Sequence, residues 1–203
     1  MKKLTKTAAT LDILCHILAV ALSIASVCLI VCFCIVMAGF LFHLPPHMVG
    51  SGYEEVELGL VTFTVANAYI PDHHTLWTQA AIEMVLTFLC LVPANLIVRS
   101  IQAILAPMKN GEPFHNTVSI QLGKIAKYVC ALGIFMNVEK IISNILLVKA
   151  YDLNLLLLSE KVPHAEFHFD FDLNFLLVSG ILLLLSYVFR YGEELQQLSD
   201  ETL

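Results

Sequence analysis

Four long apolar segments dominate the pattern of hydrophobic and polar positions along the chain. They lie at about 11–44, 76–106, 117–148 and 172–197. Each has at least the roughly 20 residues that an α-helix needs to cross the hydrocarbon core of a bilayer. The sequence therefore predicts an all-α membrane protein, in which residues 1–203 form a single membrane domain built as a four-transmembrane-helix bundle.

Basic residues at the ends of the apolar segments predict how the helices are oriented. Eight of the 11 Lys and Arg residues flank the N-terminus, the connection at 107–116 or the end of the fourth segment, and two flank the other connections. Cytoplasmic loops carry an excess of Lys and Arg. We therefore expect the N-terminus, the middle loop at 107–116 and the tail at 192–203 to be cytoplasmic.

The two remaining loops, at 45–75 and 149–171, are then extracellular and contain strand-like patterns. Residues 55–65 alternate in part and are rich in β-branched side chains, and residues 167–172 alternate cleanly between apolar and polar. Such alternation is typical of half-buried β-strands. We predict a small extracellular β-structured cap above the helices, to which both loops contribute.

The composition supports a membrane location and limits the partners. The chain is 58% hydrophobic and 14% charged, whereas soluble domains have about 45–50% apolar and about 25% charged residues. The net charge of −6 argues against direct nucleic-acid binding, which needs a clustered basic surface. The six cysteines all lie in apolar segments, where we expect them to pack as small apolar residues.

Ionisable residues at membrane depth are costly and are therefore functional candidates. Glu83 and Lys140 each lie on the order of 10 Å below the outer boundary, at 1.5 Å per helical residue. We expect the two to pair and Glu139 to point elsewhere, toward Ser143 or the cap. The predicted intramembrane polar cluster comprises Gln79, Glu83, Thr87, Asn137, Glu139, Lys140 and Asn144.

This cluster has two interpretations. Recurrence at intervals of three and four residues gives each helix a narrow seam of small and polar side chains, which is typical of a packed helix interface in a membrane. The cluster is then a structural ion pair with amide hydrogen bonds that fixes the helix register. The alternative is an ion, proton or ligand site that opens to the outside.

Histidine and carboxylate side chains in the external loops are the ligand types that zinc prefers. The weak metal candidates are His73, His74, His164 and His168. The first two are adjacent, and the last two lie about 13 Å apart in a strand, which is too far to chelate one ion. The spacing does not favour a metal site, and we predict no cofactor.

The sequence has no GxSxG, Walker-type or HExxH motif, which are the patterns that carry nucleophilic, phosphate-binding or zinc chemistry. We therefore predict a non-enzymatic protein. A membrane enzyme built from the Glu83 and Lys140 region with the external histidines is the weakest alternative.

The cytoplasmic segments carry the most distinctive sequence. In the middle loop Asn110-Gly111 favours a turn, and Asn116 or Thr117 is suited to cap the third helix. Asp172 stands where the fourth helix needs its N-cap. The tail, from Tyr191 to Leu203, is acidic and lies on the same side as the basic middle loop.

These segments resemble the bacterial membrane family catalogued as domain of unknown function 2975. The resemblance rests on Pro113-Phe114-His115-Asn116 before the third helix, on Gly192-Glu193-Glu194-Leu195-Gln196 after the fourth, and on the closing Asp200-Glu201-Thr202-Leu203. It implies four membrane helices and a place in the bacterial inner membrane. It also implies a role in membrane-linked regulation, because members of the family accompany small helix-turn-helix regulators.

The leading hypothesis is a regulatory or accessory membrane protein that binds a cytoplasmic protein, such as a small helix-turn-helix regulator. An acidic tail could compete with DNA for a basic surface of that regulator. The expected partner surface comprises Pro113, Phe114, Asn116, Glu193, Glu194, Gln196, Asp200 and Glu201.

The second hypothesis is a small transporter, a channel subunit or an extracellular ligand or metal sensor that uses Glu83, Glu139 and Lys140. The oligomeric state is open. Ala19-x-x-x-Ser23 and Ala21-x-x-x-Ala25 in the first segment would permit close helix contacts within a monomer or between the subunits of a homo-oligomer.

Overall fold

A computed structural model describes residues 2–43, 53–58, 61–66, 71–110, 115–151 and 171–201. The described chain contains four long α-helices and one β-hairpin. In chain order the elements are α1 (Lys2–Leu41), β1 (Tyr53–Leu58), β2 (Val61–Ala66), α2 (His73–Lys109), α3 (Asn116–Ala150) and α4 (Asn174–Glu201). All four helices are long and apolar enough to cross a membrane, and the prediction of a multi-pass helical protein is confirmed at that level.

The first and the last helix of the chain extend beyond the apolar segments that predict them. The helix α1 begins at Lys2 and not near residue 11, and α4 reaches Glu201. Lys, Glu, Gln and Leu are good helix formers, so the backbone stays helical where the side chains become polar. An apolar run therefore marks the part of a helix that suits lipid, while the helix itself is longer.

A two-stranded antiparallel hairpin occupies part of the first long loop. Tyr53 lies opposite Ala66 and Leu58 lies opposite Val61, in the stretch whose alternating pattern predicts strands. The second strand-like run lies largely outside the described residues, since residues 167–170 are not among them. The cap formed by both loops therefore stays a prediction.

The chain divides into two compact units. The first consists of Met1–Val27, Phe88–Met136 and Asp172–Leu203, and the second consists of Cys28–Thr87 and Asn137–Phe171. The first unit has an apolar core of Ile104, Val118 and Ile125, against which partly buried side chains of α2, α3 and α4 pack. Val118, near the start of α3, is 1% exposed and lies at the centre of this core.

Small and hydroxylated residues hold α3 against α4 in the first unit. Ser186 Oγ donates to the Ser119 carbonyl oxygen at 2.7 Å, and Ser179 Oγ donates to the Ala126 carbonyl oxygen at 2.8 Å. Gly133, seven residues after Ala126 on α3, lies directly against the Phe175 ring. The two helices therefore run antiparallel, in the close packing that small residues permit in membranes.

Side chains cap three helix starts. Asp172 Oδ1 accepts the Asn174 amide at 2.9 Å, which confirms its predicted N-cap role. The cap of α3 is His115, whose Nδ1 accepts the Thr117 amide at 3.2 Å. The expectation of Asn116 or Thr117 was wrong because α3 begins at Asn116, so that the capping position is one residue earlier.

At the start of α2, the Thr75 hydroxyl donates to the Asp72 carboxylate. This bond, with help from the Thr75 amide and from His74, holds the pKa of Asp72 below its ordinary value. The ionised carboxylate also suits the positive end of the helix dipole. The start of α2 is therefore stabilised by a charged cap.

The outer faces of the helices are apolar. On α1, large side chains such as Ile13, Ile17, Val27 and Ile35 are each about three-fifths exposed. Soluble monomers rarely expose contiguous apolar patches of this extent. These faces suit the lipid tails of a bilayer.

Candidate functional site

Polar side chains of α2 and α3 meet in the second unit. Gln79, Glu83 and Thr87 follow one another at intervals of four on α2, and Glu139 and Ser143 do so on α3. Each series therefore forms a stripe along one face of its own helix. The Glu83 Oε1 atom accepts Gln79 Nε2 at 3.0 Å and Ser143 Oγ at 3.2 Å, and so joins the two stripes.

Thr87 makes the second link between the helices. Its hydroxyl donates to Glu139 Oε1 at 2.8 Å and lies 2.9 Å from the Glu83 carbonyl oxygen. A hydroxyl has a single proton, so these two oxygen atoms share it. All five side chains are half-buried, and the cluster places two carboxyl groups in one network.

The expected ion pair between Glu83 and Lys140 is wrong. The described donors to Glu83 are neutral, namely Gln79 and Ser143, while Lys140 is exposed. Glu139 is the residue that reaches α2, although we expected it to point away.

The other predicted members of the cluster lie around this network. Asn137 is 5% exposed and Asn144 is half-buried. The Gln79 Oε1 atom is buried and accepts no hydrogen bond from the described part of the chain. A buried acceptor of this kind usually has a partner, so the network has capacity for one more donor beside Glu83.

The described metal candidates do not form a binding site. Among the described residues, no group of three His, Cys, Asp or Glu side chains could hold a metal ion. The ring of His74 packs against Phe40, with 4.6 Å between ring centroids, and His73 is exposed. His164 and His168 lie outside the described residues.

On the predicted cytoplasmic side, α4 carries its polar residues on a continuous helix. Glu193 is half-buried, Gln196 is exposed, and Glu194 lies 3.6 Å from Arg190 in an exposed ion pair. Asn116 begins α3, and its carbonyl oxygen accepts Ser119 Oγ at 3.0 Å. Pro113, Phe114 and the side chains of Asp200 and Glu201 lie outside the described residues.

The structure contains an ion pair between Asp12 and Lys109 that the sequence analysis does not predict. It joins α1 to α2 in the first unit, with Lys109 36% and Asp12 29% exposed. The sequence does distinguish both residues, because Asp12 is the sole acidic residue of the first apolar segment and Lys109 follows the second. Lys109 is the last residue of α2, and Asp12 lies ten residues after the first residue of α1.

Comparison with known proteins gives no relative. No family model, no curated protein and no solved structure matches this chain. The resemblance to the bacterial family of domain of unknown function 2975 therefore stays a prediction. What the chain does has to be argued from its own residues.

Proposed function

We propose that this protein is a non-enzymatic regulatory or accessory protein of the bacterial inner membrane, which binds a cytoplasmic protein partner through its middle loop and its acidic tail. In this proposal the N-terminus, the middle loop and the tail face the cytoplasm and the β-hairpin faces outward. The resemblance in the middle loop and the tail supports a partner of the small helix-turn-helix regulator class.

The single observation that carries the proposal is the extension of α4 to Glu201. A bilayer core accommodates about 20 helical residues, whereas α4 has 28. The helix therefore continues past Arg190 and presents Glu193, Glu194 and Gln196 beyond the lipid. An ordered helix with acidic side chains and no Lys or Arg after Arg190 favours a basic partner by charge complementarity.

The test is affinity purification of the full chain from its native membrane, followed by mass spectrometry. Partner recovery should fall at least tenfold in a chain that ends at Tyr191 and in the full-length variant Glu193→Gln/Glu194→Gln. The matched control is Glu54→Gln/Glu57→Gln, which changes the net charge equally but lies on the hairpin. A partner retained equally by all three variants would overturn the proposal.

The second candidate function is a proton or cation site at Glu83 and Glu139. It is favoured by the neutral donors to Glu83 and by the buried Gln79 Oε1 atom, which accepts no hydrogen bond from the described residues. An ionised carboxylate at membrane depth is costly without a compensating cation. A bound cation or a transferred proton would compensate the charge of the carboxylate. A transporter, a channel subunit or a sensor requires a site of this kind.

Flux assays on the protein reconstituted in liposomes test this second candidate. Proton or monovalent-cation flux that is present in the unmodified protein should be lost in Glu83→Gln. The variant Lys140→Gln is the control, because Lys140 is exposed and lies outside the Glu83 network. Equal flux in all three proteins, or none in any of them, would exclude a conducting site.

A further inference from the structure

One exposed face of α3 carries two lysines among apolar side chains. Lys124 and Lys127 are both exposed, and the exposed side chains of Ile120 and Ile134 continue the same face on either side of them. Intervals of four, three and seven residues place all four on one side of the helix. Val118, in the core, lies nine residues before Lys127 and therefore about 180° around the helix. This face, called here the lysine stripe, is thus directed away from the core.

The two lysines lie at the depth where the hydrocarbon core of a bilayer begins. At 1.5 Å per residue, the 35 residues of α3 span about 52 Å, so a core about 30 Å thick that is centred on α3 begins about 11 Å from Asn116. On the same scale Lys124 and Lys127 lie about 12 Å and about 17 Å from Asn116. Lysine side chains at such a depth extend toward the surface and place their ammonium groups among the lipid headgroups.

The neighbouring sequence offers the lysine stripe no acidic partner. Neither Phe88–Lys109 nor Asn116–Met136 contains an Asp or a Glu. Within the described part of the chain, the ion pairs of the first unit engage Lys109 and Arg190 and neither lysine of the stripe. Arg99, exposed on α2 about 15 Å from the end of that helix, adds a further cation near this depth. The compensating negative charge therefore has to come from outside the chain, and the headgroups of anionic lipids supply it.

We infer that Lys124 and Lys127 form a binding site for the phosphate group of an anionic phospholipid, in the leaflet that the predicted orientation makes cytoplasmic. Residues three apart on a helix have Cβ atoms about 5–6 Å apart, so both ammonium groups reach one phosphate. Ile134, about 10 Å deeper on the same face, contacts the acyl chains of that lipid. A zwitterionic phospholipid carries its own cation and is bound less tightly. The site is independent of the proposed partner and of the Glu83 network.

Native mass spectrometry of the purified full chain tests the inference, with phosphatidylglycerol as the anionic probe and phosphatidylcholine as the zwitterionic one. The unmodified protein should retain at least about fivefold more phosphatidylglycerol, and Lys124→Gln/Lys127→Gln should lose this preference. The control is Lys140→Gln/Lys149→Gln, which removes the same charge from exposed positions of α3 that lie about 180° apart and do not converge on one phosphate. No preference in the unmodified protein, or a preference that both variants keep or both lose, would overturn the inference.

A second measurement keeps both lysines. In a full chain with Trp77→Phe, a single tryptophan is introduced as Ile134→Trp on the lysine stripe or as Ile24→Trp on the exposed face of α1. Each protein is reconstituted in equal mixtures of the two lipids, with bromine on the acyl chains of one or the other. Brominated phosphatidylglycerol should quench the fluorescence of Ile134→Trp more strongly than brominated phosphatidylcholine, and the two should quench Ile24→Trp equally. Equal quenching of Ile134→Trp by the two lipids would contradict the inference.

Discussion

At the scale of single residues, Gly133 allows α3 to approach α4 closely, because it has no side chain. A Cβ atom at this position would overlap the Phe175 ring, and overpacking of this kind costs about 1–3 kcal/mol. We predict that Gly133→Ala lowers the free energy of unfolding in detergent micelles. The gain in helix propensity, up to about 1 kcal/mol, offsets only part of the loss.

The control is Gly180→Ala on α4. A Cβ atom at Gly180 meets no atom of the described chain within 4 Å, so this substitution gains helix propensity without a clash there. Its free energy of unfolding should stay the same or rise by up to about 1 kcal/mol. Equal destabilisation by the two substitutions would show that steric overlap with Phe175 is not the cause.

Asp72 gives the start of α2 a predictable dependence on pH. Its folded-state pKa is lowered, chiefly by the bond from the Thr75 hydroxyl. A lowered carboxyl pKa contributes stability that is present above the unfolded-state pKa and is lost as the pH falls through the folded-state value. We predict that Asp72→Asn lowers the melting temperature at neutral pH, and that the difference disappears at acidic pH.

The comparison variant is Thr75→Val, which removes the hydroxyl donor and keeps the carboxylate. In a carboxyl titration by NMR, the pKa of Asp72 should move back toward its ordinary value in this variant. An unchanged pKa in Thr75→Val would contradict the assignment of the lowered pKa to this bond.

The polar cluster shows what sequence reasoning supplies at this scale and what it does not. The residue types at membrane depth mark Gln79, Glu83, Thr87 and Glu139 as candidates. The direction of each side chain depends on the rotation of α3, and consecutive helical residues differ by about 100°. The pattern along one segment does not report that rotation.

At the scale of the helices, two hydroxyl groups link α3 to α4 in the first unit. Ser179 and Ser186 donate to carbonyl oxygens across the contact, and such bonds in membrane proteins average about 0.6 kcal/mol. We predict that Ser179→Ala and Ser186→Ala each lower the free energy of unfolding by about this amount. The effects should add, because the two sites lie about 10 Å apart.

Ser23→Ala is the matched control for these two substitutions. The Ser23 hydroxyl donates to the Ala19 carbonyl oxygen of its own helix at 2.8 Å, so its loss breaks no link between helices. Its effect on the unfolding free energy should be close to zero. A loss as large as that of Ser179→Ala would indicate that the hydroxyl itself, and not the contact between helices, sets the stability.

The elements themselves follow closely from the sequence, because length and apolarity determine a membrane helix almost alone. Alternation also predicts strands where β1 and β2 lie. The helix termini and the cap at His115 differ from the prediction, since they depend on helix propensity and on local hydrogen bonds that hydropathy does not register. The pair between Asp12 and Lys109 depends on helix neighbours that are distant in sequence.

At the scale of the whole molecule, the account depends on four crossings with both ends and the middle loop in the cytoplasm. The four apolar helices support the crossings, and the distribution of the Lys and Arg residues predicts the orientation. The proposed partner is cytoplasmic, so the acidic end of α4 has to lie in the cytoplasm. The hairpin must then lie on the opposite side.

Labelling with a membrane-impermeant thiol reagent in intact cells tests this central claim most directly. Single cysteines are introduced as Gly59→Cys between the two strands, Gly111→Cys in the middle loop and Thr202→Cys in the tail, after replacement of the six native cysteines. The account predicts labelling at position 59 in intact cells, and labelling at positions 111 and 202 only after permeabilisation. Labelling of position 111 or 202 in intact cells would contradict it.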